Sequence, residues 1–277
     1  MPGETFHERL RAAWRHQQSL LCVGIDPELS RLPVELQEHA EPFLAFGKAI
    51  VDATAPHVCA FKPQAAHFAA KGFEDQLAAL IEYIHHQYPG IPVILDAKRG
   101  DVGGTAICYA QEAFERYAAD AVTVNPYLGY DSIAPYLAYQ NRGVIVLCRT
   151  SNPHSDWLQK GRVEETPLYL AVARQVAEWD EHQQCMLVTG ATYPEELRRV
   201  RDAVEDMPLL VPGVGAQGGD IERVISAGKD QEGAGMVISS SRGIIFASSD
   251  SDFAQRAADA AQRTKAEINK ARGVITG

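Results

Sequence analysis

The chain has 277 residues, 46% of them hydrophobic, which suits one large α/β domain with a sizeable core. Its 26 basic and 36 acidic residues give a formal net charge of -10, which argues against nucleic-acid and anionic-membrane partners, and no local basic patch offsets that mean. No stretch reaches the roughly 20 apolar residues of a membrane span, and the start MPGETFHERLRAAWRHQQ lacks a signal-like apolar core, so a cytoplasmic location is expected.

In chain order, the segment from Thr5 to Gln18 reads as a leading helix. Eight short apolar runs follow: SLLCVGID from Ser19, VCAFKP from Val58, IPVILDAK from Ile91, AVTVNP from Ala121, GVIVLCRT from Gly143, QCMLVTGAT from Gln184, PLLVPG from Pro208 and GMVISSS from Gly235. Each has the length of a strand and the continuous apolar character of strands covered on both faces. Between them lie helical patterns. Leu77, Leu80, Ile81 and Ile84 fall on one helical stripe. PEELRRVRDAVEDM opens with Pro194 in the first turn and puts Glu195 and Glu196 where the helix dipole favours them. Residues 220–228 and the Ala-rich stretch from Asp252 to Arg272 also read as helices. Cys22, Cys59, Cys148 and Cys185 sit inside apolar runs and are expected to be small buried hydrophobes.

Strand then helix, eight times over, predicts a parallel sheet closed into a (β/α)8 TIM barrel. Residues 1–277 are read as one such domain, with the leading helix packed outside the barrel or across its bottom. An open doubly wound sheet is the rival, but it should show an early G-x-G-x-x-G turn, and none is present.

Barrel enzymes build their sites at the C-terminal strand ends. There the runs finish in Asp26, Lys62, the string Asp96-Ala97-Lys98-Arg99-Gly100-Asp101, Asn125, Arg149-Thr150-Ser151, the glycine-rich stretch Pro212 to Gly219, and Ser241-Arg242-Gly243. Asp96 and Lys98 are two apart and share a strand face, with Cβ atoms roughly 6.6 Å apart at the rise of an extended strand. Asp101 lies beyond the strand and outside that alignment. A lone D-x-K-x-x-D would serve equally as a salt-bridged strand end; Lys62 at the neighbouring strand end favours a charged site. The glycine stretch offers backbone N–H groups and Arg242 offers a guanidinium fork, and barrels often hold phosphate after their last two strands.

Together these strings resemble the orotidine 5′-phosphate decarboxylase family in its longer bacterial form: Gly24-Ile25-Asp26-Pro27, Phe61-Lys62-Pro63, Asp96 to Asp101, Asn125 to Gly129, Thr150-Ser151-Asn152-Pro153 and Pro212 to Gly219. The resemblance implies decarboxylation of orotidine 5′-monophosphate to uridine 5′-monophosphate, with neither metal nor organic cofactor. It assigns Lys98 as proton donor to C6 and Asp96 as the carboxylate beside the substrate's own. Asp101 and Thr105 are assigned to the partner's site across a homodimer, Lys62 and Asp26 to the ribose and the charged array, Ser151 to the pyrimidine, and Gln217 and Arg242 to the phosphate. His154 departs from the family, where a small residue is expected after Asn152-Pro153.

Three rivals stay open. Sugar-phosphate decarboxylases or synthases of the same superfamily share D-x-K-x-x-D but use Mg²⁺, with a carboxylate where this chain has Lys62. An isomerase or epimerase on this barrel should show a Glu or His base at a strand end, and none is obvious. A phosphometabolite-binding module without activity should have lost the charged array, which is intact here.

Overall fold

Each of the eight apolar runs forms a strand in the computed structural model, which describes residues 4–213 and 220–274. The strands are β1 (Leu21–Ile25), β2 (Ala60–Pro63), β3 (Ile94–Arg99), β4 (Ala121–Val124), β5 (Gly143–Arg149), β6 (Cys185–Thr189), β7 (Leu209–Pro212) and β8 (Met236–Ser240). They order as β2-β1-β8-β7-β6-β5-β4-β3, and every ladder between them is parallel. Parallel bridges Phe61↔Val93 and Gln64↔Asp96 join the two ends, so the sheet closes. Closure leaves no edge strand and puts each strand beside its neighbour in sequence, which an open doubly wound sheet does not do.

The outer layer holds α2 (Pro42–Thr54), α3 (Glu74–Gln87), α4 (Gly103–Gln111), α5 (Leu168–Trp179), α6 (Pro194–Val204), α7 (Ile221–Gly228) and α8 (Phe253–Arg272), after a leading α1 (Phe6–Gln17). The stripe of Leu77, Leu80, Ile81 and Ile84 is fully buried on α3. On α6, Leu197, Val200 and Val204 face inward while Arg198 and Arg199 stay in water. At the start of α7, Asp220 accepts from the backbone N–H groups of Glu222 and Arg223, satisfying two of the helix's free donors.

The leading helix crosses the barrel bottom. Thr5 and Glu8 form a reciprocal capping box at its start. Phe6, fully buried, then reaches the first residues of β4 and β5, where a Cβ on Gly143 would sit 2.6 Å from the Phe6 ring and 2.7 Å from the Ala121 Cβ. Only glycine leaves room for that ring. Arg9 pairs with Asp120 at 2.6 Å, and a His7 ring nitrogen lies 2.7 Å from the Cys185 carbonyl. Asn269 on α8 donates to the Gln18 carbonyl at 2.8 Å, tying the last helix to the first.

Cys22, Cys59, Cys148 and Cys185 are buried and Cys108 is exposed. Burial pushes the thiols of Cys22 and Cys148 up to about 12, as inert core residues should behave. Among the described residues no helix is long and apolar enough to cross a membrane.

Candidate active site

A cavity of about 520 Å³ opens at the C-terminal ends of the strands. Its wall takes Asp26 from the end of β1, Lys62 from β2, Lys98 from β3, Ser151 after β5 and Arg242 after β8. These side chains are far apart in sequence and meet because parallel closure aims every strand end at one mouth. Leu147, Val188 and Pro212 give the same cavity an apolar wall.

Asp96 sits between two lysines. Lys62 Nζ donates to Asp96 Oδ2 at 2.6 Å, and Lys98 Nζ donates to Asp96 Oδ1 at 2.5 Å. Lys62 and Asp96 are buried, each 5% exposed, whereas the Lys98 side chain is about half open to the cavity, at 48%. Burial by itself would raise the Asp96 carboxyl, but the ammonium groups of Lys62 and Lys98 hold it well below the usual carboxylate range. Burial would likewise lower the Lys62 ammonium, but the carboxylates of Asp96 and Asp26 hold it above its ordinary value. Both groups of the buried pair are therefore charged across the neutral range. Asp26 Oδ1 is buried with no hydrogen-bond partner among the described residues.

The flat-strand alignment of Asp96 and Lys98 needs a correction. The register of β3 against β4 breaks between Leu95 and Arg99, and Lys98 takes a left-handed backbone with φ 46°. A non-glycine residue in that region is held there only by its surroundings. Thr123, on β4, supplies them: its Oγ1 accepts from the N–H groups of Ala97 at 3.0 Å and Lys98 at 2.9 Å, and donates to Asp96 Oδ1 at 3.0 Å. Thr123 belongs to none of the strand-end strings. Its signal was a single hydroxyl in an otherwise apolar strand, AVTV.

Arg149, at the end of β5, does not enter the cavity. It is 1% exposed and bonds Asp156 at 2.5 Å, Ser155 at 2.6 Å and Gln159 at 3.1 Å, with Glu196 on its Nε and the Tyr193 ring 4.4 Å away. Gln159 in turn accepts from the Thr150 backbone N–H at 2.9 Å. The guanidinium thus folds residues 150–159 over one side of the cavity and ties them to α6. Ser151 packs so tightly on Gly190 that a Cβ there would come within 2.7 Å of its own, so only glycine fits. His154, the departure from the family pattern, points into solvent from this loop.

Asp101 and Thr105 stand apart from the cavity. Asp101 accepts from the backbone N–H of Val102 at 2.8 Å, and Thr105 is exposed on α4. Beside them runs a shallow groove between α4 and the short helix Ala134–Leu137, with Val102 and Ile107 among its exposed apolar lining. Arg99 holds this region to the barrel through paired 3.0 Å hydrogen bonds to Glu112. Gln217 and most of the glycine stretch lie outside the described residues, so only Arg242 of the proposed phosphate pair is placed.

Residues 19–257 match the model of the Orotidine 5′-phosphate decarboxylase / HUMPS family. Orotidine 5′-phosphate decarboxylase of Ralstonia nicotianae is 57% identical over 268 residues, covering 96% of this chain and 99% of that protein. The protein of the same name from an Azoarcus strain is 57% identical over 265 residues, covering 95% and 98%. Among solved structures, the Leishmania donovani OMP decarboxylase superposes with a TM-score of 0.85 at 37% identity, covering 98% of this chain and 100% of that one. Sequence match, barrel and the lysine–aspartate array thus agree, and the chain belongs to the orotidine 5′-phosphate decarboxylase family.

Proposed function

We propose that the protein converts orotidine 5′-monophosphate to uridine 5′-monophosphate and carbon dioxide, as a step of pyrimidine biosynthesis. One observation carries the reading: the Lys62–Asp96–Lys98 array at the cavity, in a chain 57% identical to a curated protein named for this reaction. The metal-dependent rival needs a carboxylate at the end of the second strand. Lys62 stands there, and its fixed positive charge would repel a divalent cation.

In the proposed step the bond between C6 and the carboxylate breaks, its electron pair stays on C6, and carbon dioxide leaves. The Lys98 ammonium is attracted more strongly as charge grows on C6 and then gives it a proton. The resulting amine is reprotonated from solvent. Asp96 beside the substrate carboxylate repels it before the bond breaks, and that repulsion is relieved as the neutral product departs. Lys62 keeps Asp96 ionised, so the array is charged before substrate arrives. Asp26 Oδ1, without a hydrogen-bond partner among the described residues, is suited to accept a ribose hydroxyl. Ser151 is suited to bond the pyrimidine, and Arg242 with Gln217 to grip the phosphate. Binding energy collected at the phosphate drives closure over the ring.

Asp101 and Thr105 are assigned to the site of a second copy. Their separation from this chain's own cavity, and the apolar groove beside them, support a homodimer in which the partner's Asp101 extends the alternating charges. The test is to mix the protein with orotidine 5′-monophosphate in EDTA and follow loss of the orotate absorbance. Rapid loss establishes the activity without a divalent metal; no loss, with turnover of a keto-sugar phosphate once Mg²⁺ is added, transfers the chain to the rival activity.

A further inference from the structure

We infer that Thr123 is a positioning residue of the decarboxylation: its hydroxyl locks the kinked end of β3 and fixes where Asp96 and Lys98 point. This rests on the decarboxylase reading above, and it concerns a residue that does not itself line the cavity but holds Lys98, which does.

The need for a lock comes from β3 itself. Its register against β4 breaks between Leu95 and Arg99, so the intervening N–H groups lose regular ladder partners. Two of these, on Ala97 and Lys98, donate to Thr123 Oγ1 at 3.0 and 2.9 Å. Their donation holds Lys98 in its left-handed conformation, which an unbranched L residue would otherwise leave. With both lone pairs of the hydroxyl taken, its proton has one direction left, and it goes to Asp96 Oδ1 at 3.0 Å.

That oxygen is the one Lys98 Nζ uses, while Oδ2 belongs to Lys62. Asp96 is therefore held by two lysines from its ends and by a neutral hydroxyl from the next strand. A carboxylate held only by lysines can rock, since ammonium groups sit on flexible stems. The hydroxyl is on a β-branched side chain, 1% exposed, whose rotamer the sheet restricts. Thr123 thus converts a backbone defect in β3 into a fixed angle between the proton donor and the carboxylate that repels the substrate.

Three variants test this: Thr123→Val, which keeps the shape and removes the hydroxyl, Thr123→Ser, which keeps the hydroxyl, and Thr123→Cys as a weaker donor. The valine variant is expected to lose roughly 10- to 100-fold in kcat with KM changed less than about threefold. The serine variant should stay within about threefold of wild type in both. A second readout is exchange of the C6 proton of uridine 5′-monophosphate in D₂O, which should slow in proportion to kcat for the valine variant. Wild-type kcat and exchange in a folded valine variant would overturn the inference, as would a serine variant as impaired as valine. If valine does not fold, the cysteine variant decides: kcat down at least about fivefold with product affinity kept supports the role, and unchanged kcat overturns it. Wild-type protein inactive on orotidine 5′-monophosphate would remove the decarboxylase reading itself, a separate outcome.

Discussion

Lys62 and Asp96 meet at 2.6 Å across neighbouring strands, both buried, so that each is the other's main reason for staying charged. Taking two ions out of water is costly, and a hydrophobic pair of the same volume would stabilise the barrel at least as well. The pair is therefore better understood as part of the site than as a stabilising device. Lys98 and Thr123 satisfy the remaining carboxylate positions, which keeps the arrangement from becoming a net liability.

Lys62→Met should destabilise the fold by about 3–5 kcal/mol at pH 7, because it leaves a buried carboxylate short of a partner. Urea unfolding measures this. In wild type the depressed Asp96 carboxyl contributes stability that is full above the unfolded value of about 3.9 and is lost as pH falls through the lower folded value. The raised Lys62 ammonium contributes stability that is full below about 10.4 and is lost as pH rises through its higher folded value. The pair's contribution is thus constant from roughly pH 5 to 9. In the variant, burial is less opposed and moves the Asp96 carboxyl upward, so the defect should be greatest at neutral pH and shrink toward about pH 4. A defect independent of pH would contradict this account.

Lys98→Ala should abolish turnover with little change in stability. The side chain is half exposed and Asp96 keeps Lys62 as its buried partner, so the folding cost is expected within about 1 kcal/mol. Residual turnover above about one percent of wild type would remove Lys98 as the proton donor.

Arg242→Ala should act on binding. It lines the cavity from the start of the short helix Arg242–Ile245 and is not one of the partners in the Lys62–Asp96–Lys98 array. KM is expected to rise more than about tenfold, and inorganic phosphate should inhibit the variant less than wild type. An unchanged KM would take Arg242 out of the phosphate site.

Asp101→Ala and Lys98→Ala, each inactive alone, should regain part of the wild-type rate when mixed. A dimer holding one of each contains one composite site with both native residues. No recovery after subunit exchange, followed by native mass spectrometry, would argue that Asp101 acts within its own chain.

Arg149→Met should free the segment from Thr150 to Gln159, since one guanidinium bonds Ser155, Asp156 and Gln159. Stability should fall by about 2–3 kcal/mol, less than for a fully buried ion pair because Asp156 and Glu196 retain some access to water. KM should rise with it, and limited proteolysis should begin in this loop. Equal proteolysis of variant and wild type would show the loop is held by other contacts.

The eight strands, the helices between them and the direction of the strand ends were all legible in one dimension. Continuous apolar runs report burial on both faces, and helical stripes such as Leu77 to Ile84 report burial on one. The residues at the cavity were legible for the same reason: polar side chains closing apolar strands, as at Asp26, Lys62 and Lys98, stand out in one dimension. Which of these charges touch is a matter of three-dimensional packing. The 2.6 Å contact of Lys62 with Asp96 depends on β2 closing against β3, a pairing that no periodicity encodes. The same holds for the left-handed turn at Lys98, for Thr123 filling the gap it opens, and for α1 lying under the barrel rather than beside it. Periodicity records how deeply a residue is buried and on which face. Pairing and register come from contacts between segments distant in the chain, and these exist only once the barrel has closed.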